Sequence, residues 1–433
     1  MNEEMGFVTM HSEERALVLV RSPGTHNARV LRGARTLSDL GYAPTIVAVV
    51  SDEERARRTT EQGIPIVRLA PTSPFAWIRA RLPGASAAVE DDAGLGGEPP
   101  PVDTAARRYP VVAVRLHRWL RTLDFYRRAV RLVLSVRPAL IHCNDYNTMW
   151  VGVAARLLTR AAVVYDAHEL WPDRNLRPEP RWWLLGCEFL FVRFAHRTIT
   201  ASPGYAEVMA RRYRIPPPRV IRNIPDLPDP AGPEEVEDRS AGTAEPVALY
   251  VGALTRNRGL EVSIRAVALV PGLRLKLLGP ASTSYRRELE ELARSVGVAE
   301  RVEFAAPVSP DKVVDSIREA TVGLALIQPV CLSYRMSLPN KLFEYIAAGV
   351  PVLGSDLPVI GRFVSEHRIG LVARAEDPAD VAEKLREFLS PERRREFGPA
   401  IREAAIQMRW ESEARLLAET YSDVAATRQR PSG

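Results

Sequence analysis

The chain has 433 residues with a formal net charge of +6, and its 46% hydrophobic and 26% charged residues are an ordinary balance for a globular protein of two or three domains. Its three cysteines, Cys143, Cys187 and Cys331, lie far apart in no metal-like spacing, which argues against a disulfide framework and predicts a reducing compartment. The first residues are acidic, unlike a signal peptide, and no apolar run approaches the roughly 18 residues of a spanning helix. We therefore expect a soluble cytoplasmic protein that is free to bind a membrane surface.

Strands and helices alternate through the first half of the chain. Residues 16–20 are typical of a buried strand, and the helix that follows them stops at Gly41. A second strand at 45–50 completes the strand–helix–strand spacing of a parallel sheet. Residues 83–104 are rich in Pro, Gly, Ala and acids, which predicts a mobile loop. The predicted elements of this half are strands at 16–20, 45–50, 64–69, 139–142, 162–165 and 198–200, helices at 28–40, 111–136, 146–158 and 181–195, and a turn at Ser202–Pro203.

The best domain boundary is residues 226–246, where the composition shifts to Pro, Gly, Asp, Glu and Ser. The alternation of strands and helices restarts after it, so we predict two doubly wound α/β domains. The predicted elements of the second half are strands at 247–251, 273–278, 302–304, 322–326 and 352–355, and helices at 260–270, 285–296, 310–319, 340–348, 378–389 and 392–421, the last broken near Gly398–Pro399.

These elements divide the chain into a first domain at 1–228, a linker at 229–246, a second domain at 247–405 and a C-terminal segment at 406–433. The last helix has no strand after it, and we expect it to cross back and pack on the first domain. Folds of this class bind ligands at the carboxyl ends of their strands, so the cleft between the domains is the expected site.

Residues 337–352 carry the strongest local signal for a ligand site. They predict a helix with Ser337 as its N-cap and Gly349 as its stop. The N-terminus of such a helix favours an anion, Lys341 adds a full charge, and Glu344 lies one turn further on the same face. From charge and spacing alone, a surface helix with an i,i+3 ion pair explains the segment equally well. The glycine signatures of dehydrogenases and P-loop enzymes are absent from the sequence.

Five segments of the chain, in the same order, resemble the retaining glycosyltransferases of family 4, which have the GT-B fold of two Rossmann-like domains facing a cleft. The segments are Asn-Ala-Arg-Val at 27–30, Tyr-Asp-Ala-His-Glu-Leu at 165–170, Arg-Asn-Ile-Pro at 222–225, the glycine loop at 251–259 and the helix segment at 337–352. The resemblance spans about residues 16–420. It implies a sugar transfer from a nucleotide-diphosphate sugar to an acceptor in glycan, polysaccharide or glycolipid biosynthesis, with retention of anomeric configuration. It implies no metal and no further cofactor.

The resemblance also implies roles for individual residues. Arg258 and Lys341 would neutralise the diphosphate as the glycosidic bond breaks. Glu344 would hold the ribose hydroxyls, and Gly252 would let the backbone approach the phosphates. His168 would lie near the donor sugar and the acceptor, and is grouped with Arg258 and Lys341 as catalytic. The remaining implied residues are Arg256 and Asn340 on the donor side and Arg29, Asp166 and Glu169 on the acceptor side.

Two positions depart from the family pattern. Ala253 follows the glycine of the loop, where family members commonly have an arginine, and Arg256 is the candidate substitute. Met336 stands where the family often has a glutamate that contacts the donor sugar. These departures leave open a non-catalytic nucleotide-sugar-binding relative. A nucleotide-sugar epimerase, which shares the architecture, is the second enzyme class.

Several residues have plainer interpretations. A histidine at the end of a strand often caps the core, although Asp166 and Glu169 beside His168 favour a site. For Asp145 we favour the N-cap of the helix that follows. Core packing is favoured over a membrane-facing stripe for the aromatic residues of the helix near 181–195, which are Trp182, Trp183, Phe189, Phe191 and Phe194.

The helix predicted at 111–136 is strongly basic. Nine arginines and a single acid, Asp124, lie between Ala105 and Pro138. Its predicted apolar face includes Leu116, Trp119, Leu120, Leu123, Val130 and Leu134. The arginines indicate either a solvated face or an anionic partner, such as the inner face of the plasma membrane carrying a lipid-linked acceptor. We expect no nucleic acid partner, because the helix lacks interleaved stacking aromatics and belongs to no known module.

Overall fold

A computed structural model describes residues 14–22, 28–50, 58–72, 111–175, 177, 179–225, 245–309 and 312–429. The loop predicted at 83–104, Asn27 and residues 229–244 of the predicted linker lie outside the described residues. The elements are numbered below in chain order.

The first half of the chain builds an eight-stranded sheet. Its strands are β1 (Glu14–Leu19), β2 (Tyr42–Val49), β3 (Arg58–Glu61), β4 (Ile64–Leu69), β5 (Leu140–Asn144), β6 (Ala162–Ala167), β7 (Arg197–Thr200) and β8 (Arg219–Val220). The strand order is β3-β4-β2-β1-β5-β6-β7-β8, and the strands pair in parallel except for β3 with β4. Its helices are α1 (Ala28–Asp39), α2 (Val111–Val136), α3 (Met149–Thr159), α4 (Arg181–Phe194) and α5 (Pro203–Tyr213).

The second half builds a six-stranded parallel sheet. Its strands are β9 (Val247–Val251), β10 (Arg274–Leu278), β11 (Val302–Ala305), β12 (Val322–Ala325), β13 (Val352–Ser355) and β14 (Gly370–Ala373), in the order β11-β10-β9-β12-β13-β14. Its helices begin with α6 (Leu260–Ala268), α7 (Thr283–Ser295), α8 (Val313–Ile317), α9 (Leu332–Arg335) and α10 (Lys341–Ala348). They continue with α11 (Ile360–Glu366), α12 (Pro378–Glu387), α13 (Pro391–Gln407) and α14 (Trp410–Gln429). The first strand lies inside the sheet and the order reverses beside it, as in doubly wound folds. The predicted fold class of two Rossmann-like domains is confirmed.

Helices cover both faces of the first sheet, and the residues of β1 are divided between the two cores. Its alternate residues point to opposite faces. Leu17 and Leu19 join a core with α2, α3 and α4, whereas Ala16 and Val18 join a core with α1. Four residues of the last helix, α14, also belong to this second core: Trp410, Leu417, Tyr421 and Val424. The end of the chain therefore packs on the sheet with which the chain begins.

Three local predictions are wrong. Helix α13 runs through Pro399, because Phe397, Ile401 and Ala404 are buried and hold it, and the chain breaks at Met408 instead. Ser202 and Pro203 do not form a turn but begin α5, where the serine side chain accepts a hydrogen bond from the backbone N–H of Gly204. The edge strand β3, Arg-Thr-Thr-Glu, was not predicted, since it lacks an apolar alternation.

None of the helices described here is both long and apolar enough to cross a bilayer.

Candidate active site

The predicted acceptor side of the site lies where β5 and β6 end next to each other. Asp145 follows β5, Asp166 lies near the end of β6, and His168 comes just after it. The ring of His168 lies between the two carboxylates, with Nε2 3.2 Å from Oδ2 of Asp166 and Nδ1 3.5 Å from Oδ1 of Asp145. Parallel pairing of the two strands therefore brings together residues that are more than twenty positions apart in the chain.

The two carboxylates decide the protonation of His168. Burial lowers the pKa of the imidazole and is the largest single influence, but Asp145 and Asp166 together raise it above its ordinary value. Each ring nitrogen faces a carboxylate oxygen, an arrangement that suits a doubly protonated ring with two N–H donors. The two carboxylates therefore favour the protonated form of His168.

Asp166 is fixed from below by Arg29. The guanidinium donates two hydrogen bonds of 2.8 Å, one to each carboxylate oxygen, and a third of 2.7 Å to the carbonyl of Ile221. Both side chains are buried. Burial raises the pKa of Asp166, but Arg29 and His168 outweigh it and hold that pKa well below its usual range. Arg29, expected on the acceptor side, thus supports Asp166 from beneath.

Two residues of this network were not identified from the sequence. His142 of β5 places Nε2 3.4 Å from Oδ2 of Asp166, and its Nδ1 lies 2.8 Å from the hydroxyl of Tyr421 on α14. Both side chains are buried. Tyr421 is 279 positions from His142, so no local pattern predicts this contact.

Asp145 holds the N-cap position of the short helix that follows β5, as we favoured, but without a side-chain cap. Its side chain caps no backbone N–H of the short helix at Tyr146–Thr148, and its carboxylate faces His168 instead. Its φ of 68° lies in the left-handed region, which non-glycine residues seldom occupy. Such strain often accompanies a functional position.

Glu169 is engaged by a neighbouring cation. Its carboxylate accepts a 2.7 Å contact from Arg174. Burial raises the pKa of Glu169, although Arg174 opposes the rise.

The donor side forms where β9, the glycine loop and α10 meet. Gly252 has a φ of 120°, and a Cβ built there would lie 3.7 Å from Nζ of Lys341. That ammonium is buried 3.4 Å from the centroid of the Tyr250 ring. Burial lowers the pKa of Lys341 well below its usual range, and the positive charge of Arg258 lowers it further.

Lys341 and Arg258 are two neighbouring cations. Arg258 places its guanidinium 4.8 Å from the centroid of the Tyr334 ring. Among the described residues, Glu344 is the carboxylate whose charge acts on Lys341, and it does so without a hydrogen bond between the two side chains. Buried charges are normally paired, because an unpaired one is costly to desolvate. This pair beside a helix N-terminus and an open glycine backbone is an arrangement that suits a bound anion.

Other residues of the predicted donor site are placed differently. Ser337 is not the N-cap, since its hydroxyl donates to the carbonyl of Tyr334; Asn340 holds the N-cap position, and its side chain caps no N–H. Glu344 forms no salt bridge with Lys341 among the described residues, so the plain i,i+3 ion pair is wrong; burial raises its pKa against the influence of Lys341 and Arg32. Arg256 pairs with Glu288 and lies over the ring of Tyr285.

The two domains touch beside these groups. The hydroxyl of Ser202 donates a 2.5 Å hydrogen bond to the carbonyl of Met336, and that of Tyr205 donates one of 3.1 Å to the carbonyl of Ser333. The Met336 side chain packs against the core of the first domain. The position at which the family often has a glutamate is therefore used here for a contact between domains.

Among the described residues, no group of three or more His, Cys, Asp or Glu side chains is arranged to hold a metal ion.

Two family models cover most of the chain in succession. The model described as Glycosyltransferase Family 4 matches residues 27–227, and the one described as Glycosyl transferases group 1 matches residues 233–404.

Relatives and solved structures agree with these matches. A D-inositol 3-phosphate glycosyltransferase of Rhodococcus erythropolis is 29% identical over 318 residues, which are 68% of this chain and 70% of that protein. Sucrose-phosphate synthase of Thermosynechococcus elongatus has a TM-score of 0.73 at 18% identity, over 95% of this chain and 100% of the other. The Anabaena protein HepE, solved with UDP-glucose, has a TM-score of 0.64 at 15% identity, over 95% of this chain and 100% of HepE. At these identities, the two structures establish the shared fold alone.

Proposed function

We propose, because the chain belongs to the retaining glycosyltransferases of family 4, that it transfers the sugar of a UDP-sugar to a hydroxyl group of a lipid-linked glycan acceptor. The family comparisons make the chain a glycosyltransferase that uses a nucleotide-sugar donor. UDP-sugars are the first donors to test, since the solved HepE structures contain UDP or UDP-glucose. The acceptor is our own inference from the basic and apolar surface of the first domain.

The observation that supports the donor site is the pair of neighbouring cations. Lys341 lies next to the open backbone of Gly252 at the N-terminus of α10, and the charge of Arg258 acts on it. A diphosphate bound there would supply negative charge. Because that charge grows on the leaving group as the glycosidic bond breaks, the same cations would stabilise the transition state more than the ground state.

The chemistry follows from the surroundings of His168. In the proposed step the bond between C1 of the sugar and the phosphate oxygen breaks, while the acceptor oxygen bonds to C1 on the same face. Both ring nitrogens of His168 face carboxylates, so the imidazole has no free nitrogen to take the acceptor proton. We assign that proton to the departing phosphate and give His168 the task of orienting the sugar and the acceptor, with Asp145 and Asp166 orienting its ring.

Other roles complete the proposal. Glu344 and Asn340 are assigned to the nucleotide, and Glu169 to the acceptor side. Arg29 is a positioning residue for Asp166, supported by its two contacts with that carboxylate. Arg256 would need to leave Glu288 to reach the donor.

The division into domains, the metal requirement and the location are further parts of the proposal. We assign 1–228 to the acceptor, 247–405 to the donor and 406–433 to the segment that returns to the first domain, supported by the burial of Tyr421 there. We propose that Lys341 and Arg258 replace a metal, so that a chelator leaves the transfer rate unchanged. We place the enzyme in the cytoplasm, at the inner face of the plasma membrane.

A donor screen tests the proposal directly. Thermal unfolding is followed with UDP-, GDP-, ADP- and dTDP-sugars, and release of the nucleotide diphosphate is then assayed with the best ligand. We expect UDP-sugars to raise the midpoint temperature of thermal unfolding more than the other nucleotide sugars do. An epimerase would isomerise the donor without releasing diphosphate, and a non-catalytic relative would bind without either reaction; both outcomes contradict the proposal.

A further inference from the structure

The outward face of α4 is apolar along its length. Trp182 is 73% exposed and Trp183 is 51% exposed, and Phe189 and Leu190 follow them on the same side. The single acid within the helix, Glu188, is buried. The core packing that we favoured for Trp182, Trp183 and Phe189 is therefore wrong, and a surface of this kind calls for a partner.

The neighbouring helix α2 extends this surface. Trp119 is 59% exposed and Leu123 is 42% exposed. Phe125, Ala129 and Val133 of α2 pack on the sheet, and Val130 of the predicted apolar face packs against the same core. That leaves Trp119 and Leu123 turned outward on the first half of the helix.

The two helices cover the same face of the sheet, where Phe125 of α2 and Phe191 of α4 belong to one core. The phenol of Tyr126 on α2 is near enough to Cys187 of α4 and to Glu179 just before it for their charges to affect its pKa. Both helices also contact α3. Trp119, Leu123, Trp182, Trp183 and Phe189 are called the aromatic face below.

The aromatic face borders the acceptor side of the site. Asp124 of α2 accepts a hydrogen bond from the backbone N–H of Thr72, which comes after the carboxyl end of β4. Arg181 at the start of α4 binds Asp173, in the turn that follows β6. Helix α4 therefore begins at the sheet edge where His168 lies, and the middle of α2 passes the same edge.

Cations surround the apolar side chains. The guanidinium of Arg193 lies 3.4 Å from the centroid of the Phe189 ring, and Arg127 and Arg131 are exposed on α2. The acid of α2, Asp124, is already bound by Arg127 and Arg128. Apolar and aromatic side chains flanked by arginines match the boundary of an anionic bilayer, where tryptophan concentrates and basic residues meet phosphate headgroups.

We propose that the aromatic face inserts into an anionic lipid surface and turns the acceptor side of the site toward the bilayer. The inference deepens the proposed function and rests on it only for the lipid-linked acceptor. The positive surroundings favour lipid over a protein partner, since a protein contact needs no excess of one charge. Insertion places His168 at the edge of the headgroup layer, where a lipid-borne hydroxyl arrives.

Co-sedimentation with vesicles tests the surface without any substrate. The full chain is mixed with phosphatidylcholine vesicles, or with vesicles of equal parts phosphatidylcholine and phosphatidylglycerol, at low and at high salt. We expect the wild type to sediment with the anionic vesicles, more at low salt. The double variant Trp182→Ala/Trp183→Ala should bind them about tenfold more weakly or worse.

A matched control is available on α3. Leu157 and Leu158 are 64% and 59% exposed, but they lie at the end of α3 that leads into β6, at the opposite edge of the sheet. Leu157→Ala/Leu158→Ala removes a similar exposed apolar pair and should sediment like the wild type. The proposal is overturned if the wild type stays in the supernatant under all four conditions, or if the Trp variant binds as well as the control.

Activity separates this inference from the proposed function. The Trp variant should keep its rate on a water-soluble acceptor and lose rate on an acceptor embedded in anionic vesicles. A wild type that sediments but transfers no sugar contradicts the proposed function and leaves the surface standing. A wild type that self-associates through Trp182 and Trp183 without binding vesicles contradicts the lipid proposal in favour of a protein contact.

Discussion

Replacing Lys341 by methionine should stabilise the free protein and weaken the binding of a nucleoside diphosphate. Lys341 is 9% exposed as a whole residue, and its ammonium lies over the Tyr250 ring with Arg258 nearby. Methionine keeps most of the apolar stem and removes the charge. Desolvating an unpaired charge costs several kcal/mol, and loss of a buried cation–π contact forfeits about 2 kcal/mol. We expect a net gain on the order of 1 kcal/mol in the free energy of unfolding.

Binding should change in the opposite sense. A hydrogen bond to a charged group contributes roughly 1.5–3 kcal/mol, so the affinity for UDP should fall by about tenfold to a hundredfold. Thermal unfolding without nucleotide measures the first effect, and calorimetric titration with UDP measures the second. Lys312→Met, which removes an exposed lysine of the same domain, is the control and should change neither quantity. A less stable variant with undiminished UDP affinity would refute the reasoning, because Lys341 would then be structural.

Three further outcomes follow from the first domain. Asp145→Asn should lower the pKa of His168, since the Asp145 carboxylate raises it. If transfer needs the cationic ring, the alkaline limb of the pH–rate profile moves to lower pH. A limb that does not move contradicts the role of Asp145. Burial raises the pKa of Glu188 from 4.5 to about 7. The folded state therefore binds this proton more tightly, and stability present below pH 4.5 is lost as the pH rises through about 7. Glu188→Gln should reduce the fall in unfolding free energy between about pH 5 and 8 by about 2–3 kcal/mol, measured by denaturant titration; an unchanged fall contradicts the assignment. Tyr421→Phe should lower the free energy of unfolding by about 1 kcal/mol, because the variant loses the hydrogen bond to His142. Tyr126→Phe, on the other face of the sheet, serves as the comparison.

The donor half of the site was open to prediction because its signal is local. The segment from Ser337 to Val352 carries a helix start, a cation and a glycine stop within sixteen residues, and Gly252 follows its strand directly. Parallel β/α units place such segments at the same edge of a sheet wherever they occur in the chain. The fold class follows from that repeated pattern, whereas the glycosyltransferase family is indicated by the resemblance of five segments in the same order.

The direction in which a side chain points from a helix or from a strand end was harder to predict from the sequence. Ser337 is a reasonable cap in sequence, and only the backbone path shows that its side chain turns back to Tyr334 and that Asn340 holds the N-cap position. The sequence did not show which side of α4 faces outward, because Leu184, Cys187 and Phe191 are apolar as well. In the structure these three side chains are among the buried ones. A helix with apolar residues on every side gives no period from which its buried face can be chosen.

Sequence by itself determined the two doubly wound domains and the alternation of strands and helices within them, and it indicated local groups that suit a diphosphate. Tertiary structure decided the surroundings of His168: Asp145 in a strained backbone, Arg29 beneath Asp166, and His142 tied to Tyr421 on the last helix. The reason is distance along the chain. Propensities and periodicities report on residues within a few turns of one another, whereas a buried charge network is satisfied by whichever donors the packed helices deliver, and here one of them comes from 279 residues away.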